Sequence, residues 1–344
     1  MEDLENMDWE ENKAPENAEN EIKKIKKTLQ KRNRKIILTS LVLVIALLLG
    51  IIYVAMPLAE KLYWSPWDQS LDQYTTDLKL VLQAYTELFL PGKSISVLPG
   101  DVGLAEYELH MTMHDMVRDT DQYFMGRMYK GKLGFDMEFF DNEALGLFRS
   151  TQFPGTYPEE LITRENAQVR AKLQELPEYI RLEAAVTFPK DLSMAELLKL
   201  MEYDYLGAQA DLEVIWAAIR TQEPNPENLH EAVGISFTLS PLNGGVNERY
   251  PEFMLSNYEP TGDTLETHFR SVLKFSSDQM LMGHGVLTWH ENHNFYEQAL
   301  QYTEEHGVNT YGCIVTGSPK TLLHLLDSGD ILDMELMDAW IDVE

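Results

Sequence analysis

Four histidines, His284, His290, His293 and His306, fall within 23 positions, with Glu291 and Glu297 beside them. Imidazole nitrogens and carboxylate oxygens are the donors a divalent transition metal takes, so this stretch is the first place to look for chemistry. His290 and His293 stand three apart, a spacing that one helical turn brings to the same side. The hydrolase pattern H-E-x-x-H is missing, and His290 falls at a helix start, where capping or solvation accounts for it. A surface metal-dependent hydrolase built on these histidines ranks last among the readings, and no metal or other cofactor is expected. No G-x-S-x-G elbow, P-loop or G-x-G-x-x-G occurs. The acid pairs Asp136/Glu138 and Asp333/Glu335 alternate along strand-like segments and share a face, which suits solvation rather than a tuned acid and base. Met111, Met113, Met116, Met125, Met128 and Met137 also alternate along such segments, as core filling requires. Cys313 is the sole cysteine and sits in an apolar strand, the setting of a small buried hydrophobe rather than a redox group. No catalytic residue is assigned, and a non-enzyme is expected.

The element that organises the chain is the uncharged run Ile36 to Met56, IILTSLVLVIALLLGIIYVAM. At ~1.5 Å per residue it reaches about 31 Å, enough to cross a hydrocarbon core. Its polar residues Thr39 and Ser40 can bond back to the helix backbone, so lipid tolerates them. Lys23, Lys24, Lys26, Lys27, Lys31, Arg32, Arg34 and Lys35 crowd one flank; Tyr53, Tyr63, Trp64 and Trp67 gather at the other. The positive-inside rule and the aromatic belt then predict a cytoplasmic N-terminus and an extracellular C-terminal domain on a single-pass cell-membrane protein. The tail and the run are both too long for a cleaved signal peptide, so an uncleaved signal-anchor is predicted.

The net charge is −28, and the excess lies after the apolar run: residues 58–344 hold 47 acidic and 19 basic side chains. A domain of that sign repels nucleic acid, so no nucleic-acid partner is expected. A domain outside the cytoplasm with one cysteine must be held by its core, and its 287 residues suffice for one large or two modest cores. Four divisions are predicted: residues 1–35 as cytoplasmic tail and juxtamembrane helix, 36–57 as transmembrane helix, 58–160 as a membrane-proximal helix with a small antiparallel sheet, and 161–344 as a C-terminal α+β domain. Residues 1–21 carry nine acids and read as disordered. Ile22, Ile25 and Leu29 recur at helical spacing in the basic stretch that follows. They form a packing face for a small cytoplasmic or membrane partner, or a helix whose basic side rests on lipid heads.

Periodicity predicts helices over Ser70–Leu90, Thr163–Gln174, Ser193–Glu202, Leu265–Met282 and Asn292–Glu305. Strands are predicted at Tyr107–Met113, Gln122–Met128, Leu133–Phe139, Ile180–Phe188, Asp211–Ile219, Thr310–Thr316 and Ile331–Ile341. Residues 222–262 read as loop. Ser193 with Glu196 makes a capping box, and Ser318 with Pro319 opens a helix that Ser328-Gly329 ends. Gly317 is expected at positive φ in the turn before that helix, whose free N–H groups could receive an anion. Two strand–helix–strand units predict an α+β domain with helices packed on a mixed sheet.

The stretch His306 to Leu326, HGVNTYGCIVTGSPKTLLHLL, resembles the C-terminal signature of the sigma factor regulator family, which includes membrane-anchored anti-sigma factors of bacteria. Gly307, Val308, Tyr311, Gly312, Thr316 and Gly317 fit that signature directly. Leu176 to Ser193 and Leu212 to Thr221 are similar to the family's middle block. The resemblance implies an extracytoplasmic domain sensing an envelope state, tied to a cytoplasmic tail that binds an alternative, extracytoplasmic-function sigma factor. The tail of about 35 residues is shorter than in the best-known members, and without Cys or His it cannot be a zinc-type helical bundle. An envelope interaction or ligand-binding module without sigma control is the alternative.

Overall fold

The computed structural model describes residues 16–55, 58, 77–130, 132–134, 146–152, 157–202, 211–224, 232–237, 248–253, 255, 260–282 and 294–341. Tyr63, Trp64, Trp67, the first part of the predicted Ser70–Leu90 helix, the predicted strand beyond Gly134, and His284, His290 and His293 lie outside them. The chain divides into two compact units, Met1–Leu62 and Tyr63–Glu344.

The first unit is helix α1 (Glu16–Gly50), continued by a π-helical turn at Ile51–Ala55. Its described side chains from Asn20 to Ala55 are all exposed, and from Ile36 onward they form an apolar girdle of Leu, Ile and Val. This is the one helix among the described residues long and apolar enough to cross a membrane, and it fits a single-pass protein. Thr39 Oγ1 donates to Lys35 O at 2.8 Å, which satisfies the hydroxyl inside the helix. Glu16 to Glu21 are helical, contrary to the expectation of disorder. Helix propagates cheaply from a nucleated length, and acids in a first turn favour the macrodipole.

The second unit begins with α2 (Asp77–Phe89), which packs on a four-stranded sheet of β1 (Lys93–Gly103), β2 (Glu106–Asp115), β3 (Thr120–Tyr129) and β4 (Lys132–Gly134). Each strand pairs antiparallel with the next. The alternation read from the sequence is real: Tyr107, Leu109, Met111 and Met113 are buried in one core with Leu78, Leu82, Leu88 and Phe89 of α2. Met125 departs from the core-filling expectation. It lies with Leu98, Tyr123 and Tyr129 on the outward face, each more than half exposed.

A short helix α3 (Arg149–Gln152) precedes α4 (Glu159–Glu175), β5 (Ile180–Ser193), α5 (Met194–Glu202), β6 (Glu213–Ile219) and β7 (Val233–Ser236). Then come α6 (Gly262–Met282), α7 (Phe295–His306), β8 (Asn309–Gly317), α8 (Pro319–Ser328) and β9 (Asp333–Ile341). The predicted boundaries hold to within a few residues, apart from β5, which continues past Pro189 through a bulge between Thr187 and Leu192. Strand β7 lies in the stretch read as loop; four residues among turn formers carry little period, and pairing with β6 makes the strand.

The second sheet has the order β7-β6-β8-β5-β9, and neighbours run antiparallel throughout. The α+β class stands, but the sheet is not mixed. The crossover through α5 skips one position, which β8 fills, and the crossover through α8 skips another, which β5 fills. The parallel strands are therefore never neighbours. This is a pair of interlocked split βαβ units, the ferredoxin-like arrangement, with β7, α6 and α7 inserted between its halves. One face of the sheet joins Ala184, Val186, Ala217, Cys313 and Val315 to the helices and to α2 in a single core. The other face gathers Ala185, Trp216, Ala218, Tyr311 and Ile314 with Phe148. Trp216 Nε1–H donates to the Glu87 carbonyl at 2.8 Å, and Arg118 from the β2–β3 turn pairs with Asp338 on β9, so both sheets share one framework.

At the start of β9, Asp333 is crowded. Burial first, then the neighbouring charges of Glu165 and Glu335, push its carboxyl up to about 6 from 3.8. The folded chain thus holds this proton more tightly than the unfolded chain, and stability is expected to fall as pH rises from about 4 to about 6. Asp333→Asn should be neutral below pH ~4 and raise stability at pH ~7.5 by about 1 kcal/mol, a value discounted for partial exposure. Thermal unfolding of both proteins at the two pH values checks this; equal midpoints at pH ~7.5 would refute it.

Candidate functional site

The six signature residues lie along one turn-and-strand path. Gly307 closes α7 at φ 82°, and its N–H donates to Thr303 O at 3.0 Å. That left-handed φ is what glycine supplies without steric cost. Val308 is buried, and Thr310 to Gly317 form the centre of the second sheet. At Gly312 a Cβ would stand 2.5 Å from the Phe148 ring and 2.6 Å from the Val186 carbonyl. The glycine lets the aromatic ring lie against bare backbone. Tyr311 then meets Phe148 edge-on, ring centroids 5.7 Å apart, on one side. It also carries the Arg220 guanidinium over its ring at 4.7 Å.

Arg220 is fixed by a two-pronged pair with Asp191, Nη2 to Oδ1 at 2.8 Å and Nε to Oδ2. Burial opposes its charge, yet the Asp191 carboxylate outweighs that and holds the guanidinium protonated more firmly than usual. Asp191 lies near the end of β5, Arg220 follows β6 and Tyr311 lies near the start of β8, so this one cluster clasps three adjacent strands at the same end of the sheet. Its polar groups are engaged with one another, which suits architecture rather than catalysis.

At the opposite end lies the start of α8. Ser318 is the N-cap and its Oγ accepts from Thr321 N at 3.3 Å, with Pro319 at the first position, as predicted. Asp211 also reaches this helix start. It accepts from Ser318 N at 2.9 Å and from Thr321 Oγ1, with Arg181 at 3.6 Å. The anion at this helix start is the chain's own carboxylate, held below the ordinary range because these hydrogen bonds outweigh its burial. Gly317 does not take positive φ. A Cβ there would meet nothing nearer than 3.6 Å, so the turn is made by the Ser318 cap and Asp211 instead.

Cys313 is buried, and burial alone drives its thiol upward, which leaves it unreactive. Of the four histidines that opened the search, only His306 lies among the described residues. Its ring stacks on Tyr302 at 4.2 Å and its Nδ1 meets Tyr302 O at 3.0 Å. Among the described residues no group of three or more His, Cys, Asp or Glu could hold a metal ion.

Ile22, Ile25 and Leu29 are far from this cluster in sequence and belong to the first unit. The structure brings them onto one stripe of α1, with exposures of 52%, 58% and 51%. They are flanked by exposed lysines on a helix that continues without a break into the apolar span.

Sequence reasoning missed Phe148, Asp191, Arg220 and Asp211. Phe148 sits at φ 58°, a conformation no sequence pattern announces. Arg220 follows the end of β6, Asp191 comes after the predicted strand end at Phe188, and both read as ordinary surface charges. His268 carried a readable signal: it follows Leu265 by three and precedes Val272 by four, a histidine on an apolar helix face.

Residues 173–337 match the family model described as sigma factor regulator C-terminal. No curated protein and no solved structure matches the chain. The matched segment starts in α4 and ends in β9, so it takes in the interlocked sheet with its insertion and leaves out α1, α2 and the first sheet.

Two glycines of the signature should behave oppositely. Gly312→Ala forces Phe148 or the β5 backbone to move and is expected to cost about 2–3 kcal/mol. Gly317→Ala should stay within about 0.5 kcal/mol. Denaturant unfolding of the two variants separates them, and equal losses would refute the close-approach account of Gly312.

Proposed function

Since this chain belongs, through residues 173–337, to the sigma factor regulator family, we propose that it regulates an alternative sigma factor from the cell membrane by binding, without catalysis. In this reading α1 crosses the bilayer once, with the basic flank Lys23 to Lys35 in the cytoplasm and the acidic α+β domain outside. The domain registers an envelope state or a second envelope protein. The sigma factor, of the small extracytoplasmic-function kind, docks on the stripe of Ile22, Ile25 and Leu29. The observation that carries this reading is that bare stripe on a helix continuous with the membrane span. Three half-exposed aliphatic side chains at positions i, i+3 and i+7 are what a helix-in-groove partner reads.

A second reading, an envelope-binding module without sigma control, draws on the outward face of the first sheet. Leu98, Tyr123, Met125 and Tyr129 stand exposed there, outside the matched segment.

Affinity purification of the full chain from crosslinked membranes should recover a small sigma factor. The triple change Ile22→Ser, Ile25→Ser, Leu29→Ser should reduce that recovery at least about tenfold, the equivalent of ~1.4 kcal/mol. Recovery of no sigma factor, together with unaltered transcript levels on deleting residues 1–30, would favour the second reading.

A further inference from the structure

His268 lies at the centre of the second unit, its side chain 4% exposed, against Glu87 at 8%. Its ring makes two hydrogen bonds. Nε2 meets Glu87 Oε1 at 2.5 Å, and Nδ1 meets the Glu252 carbonyl oxygen at 2.7 Å. The Glu252 carbonyl only accepts, so Nδ1–H donates to it, and the 2.5 Å contact between Nε2 and Glu87 Oε1 needs a proton between them, on the ring or on the carboxyl. The pair thus holds one shared proton, and the ring joins three pieces of chain: α2 through Glu87, α6 through its own backbone, and the turn at 250–253.

Each piece depends on that bond. Glu87 uses its side chain on His268 while its carbonyl takes the Trp216 N–H, so α2 is pinned at one residue to both α6 and the second sheet. Glu252 stands at φ 56°, which a non-glycine residue adopts only under restraint. The restraint is visible: His268 donates to Glu252 O, and Ser271 Oγ donates to Pro251 O at 2.5 Å.

The charges that act on the ring are those of Glu87 from α2 and Glu252 from the turn. On α6 itself, Glu266 is paired with Arg270 and Asp278 with Arg249. Helix α7 meets α6 at Thr303, whose carbonyl takes an Arg270 N–H at 3.0 Å. Helix α5, also packed on α6, buries Met194 and Leu197.

We propose that His268 is a proton-operated latch: while the proton it shares with Glu87 is in place it holds α2, the first described element after the membrane span, onto α6, and on losing that proton it releases α2 ahead of the rest of the domain. Deprotonation at Nε2 would leave a buried carboxylate facing a lone pair, a strongly destabilising arrangement. Burial alone would lower the ring's proton affinity, but Glu87 and the Glu252 carbonyl outweigh it and raise that affinity above the ordinary value near 6.5. A raised histidine stabilises fully below the unfolded value and loses its contribution as pH climbs through the folded one. The latch therefore weakens on the alkaline side. This inference requires neither sigma binding nor the proposed orientation.

Hydrogen exchange of the full chain in detergent micelles, followed from pH 6 to 9.5 and corrected for intrinsic rates, tests it. Protection of α2 amides should fall about tenfold per pH unit above ~6.5 until the folded-state titration is passed, and at each pH α2 should be less protected than β5 and β8, whose opening is linked to the same proton but starts from a higher free energy. Glu87→Gln should abolish that pH dependence. Flat α2 protection across the range would overturn the proposal. So would equal protection of α2 and β8 across the range, or a Glu87→Gln profile identical to wild type. Should Glu87→Gln not fold, the wild-type profile still decides.

Discussion

Strand β8 is hydrogen-bonded on both sides, to β6 and to β5, and the rest of the second sheet is arranged around that fact. Its two neighbours come earlier in the chain and are joined to each other through α5, with the place of one strand left between them. Filling that gap makes every adjacent pair antiparallel and locks the two crossovers together. It also explains the composition of the signature. A strand flanked on both edges and covered on both faces must be apolar along its length, and it is buried from Thr310 to Gly317. Gly312 gives Phe148 its place, and Tyr311 receives Arg220. Gly307 turns the chain out of α7 into the gap.

The parts of the fold that could be read from the sequence are those set by local forces. The span of α1 follows from uninterrupted apolar residues, the start of α8 from Ser318-Pro319, and the start of α5 from the reciprocal bonds of Ser193 and Glu196 at 2.8 and 3.2 Å. Alternation in β2 reported a one-sided sheet correctly. What stayed hidden depends on partners distant in the chain. Strand β7 exists because β6 pairs with it, and the sheet is antiparallel because β8 enters late, a fact no window of twenty residues contains.

The candidate site divides in the same way. The signature residues were identifiable as a set, but their neighbours were not, since Asp191, Arg220 and Phe148 approach Tyr311 from three separate segments. Asp211 is instructive in another sense. A helix start that would suit a bound anion already has one, drawn from 107 residues away in sequence. The stripe of Ile22, Ile25 and Leu29 was legible as one helix face because it needs only helical spacing.

Strand β9 ends the second sheet, and no described strand pairs with its outer edge. Such an edge is a template on which a neighbouring molecule can add its own backbone and begin a fibre. Here Asn166 of α4 already bonds the backbone at Leu332 and Met334, Asp338 is paired with Arg118, and an approaching chain would have to bury Asp333 further and strip water from Glu335. The crowding that makes Asp333 unfavourable to the isolated fold therefore also counts against a second chain adding itself along that border.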